Sequence, residues 1–447
     1  MFDSSNIIKF ENLINNAADY IWANPETGFK EEKTTEFLAN EFEKLGYELT
    51  YPDGITGFFT YADTGRKGPT VLVFAELDSV ICKSHPNADK STGAVHACGH
   101  FMQCAALLGL AAALKEPDAL DGLCGKIKLC LVPAEECLEI DFRKNLIKSG
   151  KIKYFSGKQE FISRGYLDDA DLCFMMHTRE DGSKNKTDFF LDIAHNGFIT
   201  KIITFKGKAS HAAEPEAGIN ALDMANTALA SINALRTTFR DSDMVRVHPI
   251  ITEGGTIVNA VPEKVVMESY VRANNVAAMN DVNERVNRAV ASAAAAFGGN
   301  VHIEDLPGYE PLVDDEKLNE LAFNTAEKVF GKGSIRYADG GGAGSTDLGD
   351  VSMLIPAIHI FTNSAVGHAH GEDYFVENKH LAGVKSARMQ YELIKELLSG
   401  GGEKAKEIVK NYKPQFKSKA DYLKYKSSIF KDKDAVTYKS GKVIIDI

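Results

Sequence analysis

Apolar residues recur at helical spacing from Ile7 to Leu45 and are interrupted at Asn24-Pro25-Glu26-Thr27-Gly28, which predicts a helix, a turn and a second helix that stops at Gly46-Tyr47. Two short apolar runs follow, TVLVF at Thr70–Phe74 and KIKLCLV ending just before Pro133, with an Ala/Leu-rich helical stretch between them. Strand, helix, strand implies a parallel sheet.

Beyond His177 the pattern changes. GFITKIITFKG reads as an edge strand, EAGINALDMANTALASINALR as a long helix, KVVMESYVRA as a strand and VNERVNRAVASAAAAF as another helix. This stretch, about Gly197 to Asp305, has the look of an inserted α+β domain. Helical periodicity resumes in KLNELAFNTAEKVFG, a Gly-rich turn DGGGAGSTD follows, and MLIPAIHIF supplies a further buried strand shortly before His368.

The expected architecture is therefore α/β: a metal-binding catalytic domain with a mixed, mostly parallel sheet (residues 1–193 and 310–447), interrupted by a smaller α+β lid and dimerisation domain (residues 194–309). Residues 400–447 form an extra Lys-rich tail, either a docked helix and strand or a loosely ordered end.

A chain of 447 residues exceeds what one core usually serves, in keeping with two domains. Its net charge of −11 argues against nucleic acid or an anionic membrane as the main partner. No apolar run is long enough to span a bilayer, and the first residues lack a signal-peptide pattern, so cytoplasmic residence is the expectation. All seven cysteines lie between Cys82 and Cys173 without disulfide or paired CxxC spacing. Reduced, mostly buried thiols are expected.

Ligands of open α/β sheets sit beyond the carboxyl ends of strands, and Asp78, Glu135, Glu136 and His177 each follow a predicted strand. His96-Ala97-Cys98-Gly99-His100 enters the Ala/Leu-rich helix, where Cys98 and His100 read either as metal ligands or as a buried thiol beside a core histidine. In Pro133-Ala134-Glu135-Glu136, one acid can hold metal while its neighbour moves protons; a capping or surface pair is the plainer alternative. His177 and His370 each follow a buried run and can reach the same sheet edge, or serve as core histidines. His211 and Asn259 equally suit turns, and Arg272 a surface charge.

Taken together, HACGH, PAEE, His177, GKASHAAEP, NAVP with Arg272, and the GSTD and His370 segments resemble the aminoacylase and carboxypeptidase-type metallopeptidase family, nearest its hippurate, auxin-conjugate and aminobenzoyl-glutamate hydrolase branch. The similarity runs in consistent order from Asn24 to Leu398 and includes NPETGFKE and AELDS. It implies two divalent metal ions (Zn, Mn, Co or Ni), one held by His100 and Glu136 and the other by His177 and His370, with Cys98 bridging them. It also implies Glu135 as general base, Asp78 as an orienting acid, His211 and Asn259 as groups that polarise the substrate carbonyl, and Arg272 and Ser345 as substrate-binding residues, Arg272 clamping a carboxylate. A homodimer through the lid, with His211 acting toward the partner's site, belongs to the same expectation.

The implied reaction is hydrolysis of the amide bond of an N-acyl amino acid or dipeptide. Three departures from the branch stand out: Phe101 and Gln103 after HACGH, a long stretch from Leu138 to Asp168, and the tail; His368, two residues before His370, is an alternative for the last ligand. Phe101 motivates an alternative, a catalytically impaired binding protein on the same fold; a Cys98 thiol hydrolase is a third.

Overall fold

The computed structural model describes residues 2–180, 187–191, 195–338 and 344–447. The chain divides into two compact units: Met1–Ile193, Val313–Gly341 and Asp350–Lys419 form the larger, and Ala194–Leu312, Gly342–Gly349 and Ala420–Ile447 the smaller. Asp339–Ala343 of the Gly-rich turn, and the expected junction at 193/194, lie outside the described residues.

The larger unit is built on a seven-stranded sheet in the order Phe58–Asp63, Lys126–Val132, Thr70–Glu76, Leu172–Arg179, Ala357–Asn363, Phe189–Leu191, Ile335–Tyr337. The four strands from Lys126–Val132 to Ala357–Asn363 run parallel, the antiparallel pairings falling outside them. Thr70–Glu76 is buried along its whole length, as an apolar run covered on both faces must be. The helix His100–Leu114 is buried at every position, so it lacks an amphipathic stripe and packs as a core helix against Glu11–Ala23, Ser386–Leu398 and the sheet.

The smaller unit carries an antiparallel sheet in the order Ile250–Glu253, Lys264–Ala273, Gly197–Lys206, Asn300–Pro307, Lys431–Asp434, with the helices Ala221–Leu235 and Val276–Ala296 packed on it. Lys201 and Asp305 are direct cross-strand partners, both fully buried, and form an ion pair completed by Asn283 and Asn287. Such a pair is tolerated inside because every charge finds partners.

Two stretches placed with the catalytic domain on sequence group instead with the smaller unit. Gly342–Gly349, which includes Ser345, is tied there by the Asn196 amide donating to the Gly344 carbonyl. The tail divides at Lys419: Lys431–Asp434 adds a strand beside Asn300–Pro307, because pairing satisfies an edge that would otherwise stay open. The tail is thus docked. Among the described residues no helix is long and apolar enough to cross a membrane.

Candidate active site

Four parallel strands of the larger sheet end on the same side, and the residues just beyond them converge. Asp78 follows Thr70–Glu76, Glu135 and Glu136 follow Lys126–Val132, His177 lies near the end of Leu172–Arg179, and His370 comes after Ala357–Asn363. Cys98 and His100 stand where the chain turns into the core helix.

That turn depends on Gly99, which caps the helix with φ +96° in the left-handed region. A Cβ there would lie 1.8 Å from Thr178 Oγ1, so only glycine fits. Tyr374 closes the turn from the other side, its hydroxyl donating to the Cys98 carbonyl at 3.1 Å and sitting 2.8 Å from Thr178 Oγ1.

Cys98 Sγ is 3.5 Å from His177 Nε2, while His177 Nδ1 is 2.7 Å from the Thr178 carbonyl oxygen. His100 is fully buried: its Nδ1 faces the Asp78 carbonyl at 2.9 Å and Asp78 Oδ1 at 3.2 Å. The other oxygen of Asp78 accepts from the Glu136 amide at 2.8 Å, so one acid fixes both a histidine and the Glu pair. His370 Nε2 lies 2.8 Å from Glu136 Oε1, and the His370 amide donates to the Ala97 carbonyl at 2.8 Å. Glu135, buried, approaches His100 Nε2 to 3.9 Å.

Burial and the Glu136 carboxylate push the Cys98 thiol up, but positive charge on His100 and His177 prevails and brings it down to about 6. Burial likewise raises Glu136, yet His370 beside it holds the carboxylate at about 2. The same carboxylate lifts His370 to about 11 against the opposing effect of burial. Burial disfavours charge on His100, whereas Cys98 and Glu76 favour it and win, raising it well above the ordinary histidine value.

These donors fit divalent cations. One potential ligand atom each from Cys98, His100 and His177 lie mutually within 4.8 Å, as do those of Cys98, Glu136 and His370 and those of Glu76, His100 and Glu135. Cys98 thus belongs to two groups, which set His177 beside His100 and His370 beside Glu136, where the resemblance implies His100 with Glu136 and His177 with His370. His100 Nε2 is buried without a well-aligned hydrogen bond, and the carboxylates of Glu76 at 3.1 Å and Glu135 at 3.9 Å face it. Thiolate, imidazole and carboxylate together suit zinc and its neighbours in the first transition row.

Two sequence departures find explanations here. Phe101 is buried against Trp22, ring centroids 5.0 Å apart, and does not line the site; His100 is held by Asp78 without it. Gln103 Nε2 donates to Glu76 Oε2 at 2.8 Å, and Glu76 Oε2 is in turn 3.1 Å from His100 Nε2. Glu76 is the residue the sequence reading passed over: it stands in AELDS, two positions before the acid that drew attention. His368 is 88% exposed and pairs with Asp373 at 2.9 Å, away from the acids and thiol that surround His370.

The remaining expected residues lie in the smaller unit. His211 Nε2 and Asn259 Nδ2 are 3.4 Å apart across a β-bridge between their neighbouring backbones. Arg272 sits on the strand Lys264–Ala273 with its guanidinium over the rings of Tyr270 and Phe198. Ser345 is partly buried, and its hydroxyl has no hydrogen-bond partner.

Residues 72–396 match the model of peptidase family M20/M25/M40. Among characterised proteins, the chain is 30% identical over 354 residues to the Xaa-Arg dipeptidase of Mus musculus, covering 76% of this chain and 74% of that one. It is 29% identical over 314 residues to the N-acetyl-L-cysteine deacetylase of Bacillus subtilis, covering 68% and 70%. Its fold is similar to that of a dinuclear metal-binding peptidase of the M20 family from Bacillus subtilis, with a TM-score of 0.67 at 20% identity, covering 87% of this chain and 99% of that one. With the matched region spanning most of both the strand-end site and the sheet that carries it, the chain belongs to peptidase family M20/M25/M40 and is a hydrolase of the metallopeptidase and amidohydrolase kind.

Proposed function

We propose that this hydrolase cleaves the amide bond of N-acyl amino acids or dipeptides, using two divalent cations held by His100 and His177 on one side and Glu136 and His370 on the other, with Cys98 shared. The observation that supports this reading is the position of Cys98 in two of the three donor groups, with the buried Glu135 3.9 Å from His100 Nε2. Bound cations of this kind polarise a carbonyl and acidify water.

The chain's own residues supply the rest. Glu135, not needed as a ligand, takes the proton from the attacking water and returns it to the leaving amine. Asp78 keeps the His100 ring oriented through Nδ1, leaving Nε2 for coordination. In the smaller unit, His211 and Asn259 form a donor pair suited to a developing oxyanion, Arg272 a clamp for the substrate's free carboxylate, and Ser345 a further polar contact.

The reading includes a homodimer through the smaller unit, with His211 acting toward the partner's site. Exposed Ile250, Ile251, Ile257 and Val258, on an edge strand and the loop beside Asn259, support it.

The test is turnover of a panel of N-acyl amino acids and dipeptides by protein of known metal content, before and after chelation and after metal is returned. Chelator-reversible hydrolysis is expected. Turnover that survives chelation would transfer the chemistry to the Cys98–His177 pair, and metal binding without turnover on any amide would make the protein a binder.

A further inference from the structure

The stretch Leu138–Asp168 sends a lysine into the core of the larger unit. Lys158 lies on the short helix Gly157–Ser163, where Gly157 through Ile162 are all buried although three of them are normally charged or strongly polar. Its ammonium donates to Glu76 Oε1 at 2.5 Å, with both side chains excluded from solvent. Gln103 donates to the other carboxylate oxygen at 2.8 Å and accepts from the Glu76 amide at 3.3 Å. Both oxygens of Glu76 are therefore fixed, and the one held by Gln103 lies 3.1 Å from His100 Nε2.

The helix is seated for this contact. A Cβ on Gly157 would lie 1.9 Å from the Pro133 carbonyl oxygen, so the segment packs directly on the backbone that leads into Glu135 and Glu136. Arg143, from the same stretch and 1% exposed, donates to the backbone carbonyls of Glu136 and Phe155. Glu139 receives Thr27 Oγ1 and Lys30 Nζ, each at 2.6 Å, and ties the beginning of the stretch to NPETGFKE.

From this arrangement we infer that Lys158 is a positioning residue for the metal edge: acting through Glu76, it fixes the carboxylate against which His100 is set, so that the stretch Leu138–Asp168 braces the site from behind. A carboxylate 3.1 Å from the imidazole sets the position of the ring only while it is itself held, because a free one would swing away and leave His100 to Asp78 alone. Lys158 and Gln103 remove that freedom by occupying one oxygen each. The inference rests on the proposed metal site and assigns the brace to residues outside it.

The experiment titrates metal-stripped protein with Zn²⁺ alone against a chromophoric chelator, with thermal unfolding of the same samples measured in parallel. Lys158→Met should weaken binding of one of two ions by about 10–100-fold, the range found when a group supporting a ligand is lost, and should also lower the unfolding temperature. The double variant Glu76→Met/Lys158→Met removes both buried charges, so its unfolding temperature should recover while zinc binding stays weak. Recovery of both together would make the pair a packing element and overturn the inference. If Lys158→Met does not fold, the double variant decides alone: weak zinc binding supports the brace and binding equal to that of the unsubstituted protein overturns it. Failure of the unsubstituted protein to bind zinc would overturn the metal site itself, and the brace with it.

Discussion

His370 places Nε2 2.8 Å from Glu136 Oε1, and it does so in a left-handed backbone conformation, φ +65°. Non-glycine residues adopt that conformation at a cost, so surrounding contacts must impose it. His368, two residues earlier, makes its ion pair with Asp373 in solvent. His370→Ala should therefore lower the metal content after dialysis from two ions per chain towards one, and His368→Ala should leave it unchanged. Elemental analysis of the two variants checks this; equal loss in both would remove the distinction.

Glu135→Gln should retain metal and bind substrate, yet lose turnover by on the order of 10²–10⁴-fold, since an amide cannot accept the proton. Steady-state kinetics beside metal analysis separates this from a ligand role, for which metal and activity would fall together.

Arg272 has its guanidinium over Tyr270 and Phe198 on a strand of the smaller unit. Charge-assisted contacts contribute about 1.5–3 kcal/mol, so Arg272→Ala should lower kcat/KM by at least about tenfold on substrates with a free carboxylate, and much less on their amides. Equal losses on both classes would mean that Arg272 serves the strand and not the substrate.

Gly99→Ala combines an unfavourable φ with a Cβ forced onto Thr178 Oγ1. Strain and overpacking together should cost about 2–4 kcal/mol, read as an earlier denaturant transition of the larger unit. Thr178→Ala in the same chain should return part of that loss, because it removes the nearest struck atom; no return would place the cost in the backbone and in the second close contact, the Tyr374 hydroxyl at 2.5 Å.

How much of this could be read from the chain depends on what each residue's neighbours in sequence reveal. The strand-end positions of Asp78, Glu135, Glu136 and His177 are legible because parallel sheets put a site there and the apolar runs mark where each strand stops. The structure gathers these with Cys98, His100 and His370 at one edge. Lys158 is not legible: GKQEFIS has the composition of an exposed helix, and Lys158 and Gln159 are buried against partners distant in sequence, Glu76 and Asp350. Lys201 is hidden for the same reason, its partners lying about 80 to 100 residues on. The destination of the tail is equally silent, since KDKD lacks the apolar, β-branched pattern of a strand, and the partners of its acids, His302 for Asp432 and Asp434 and Lys206 for Asp434, lie more than a hundred residues away in sequence.

That last pairing bears on when the molecule can be finished during synthesis. His302 to Asp305 wait for Asp434 to Lys431 as their partners, and Leu172–Arg179 waits for Ala357–Asn363. Neither sheet is complete when its first strands leave the ribosome, although domains ordinarily fold in the order they emerge. The smaller unit in particular carries an open edge through the translation of more than a hundred residues, and a message truncated before residue 431 would release a chain whose edge is permanently available to another strand.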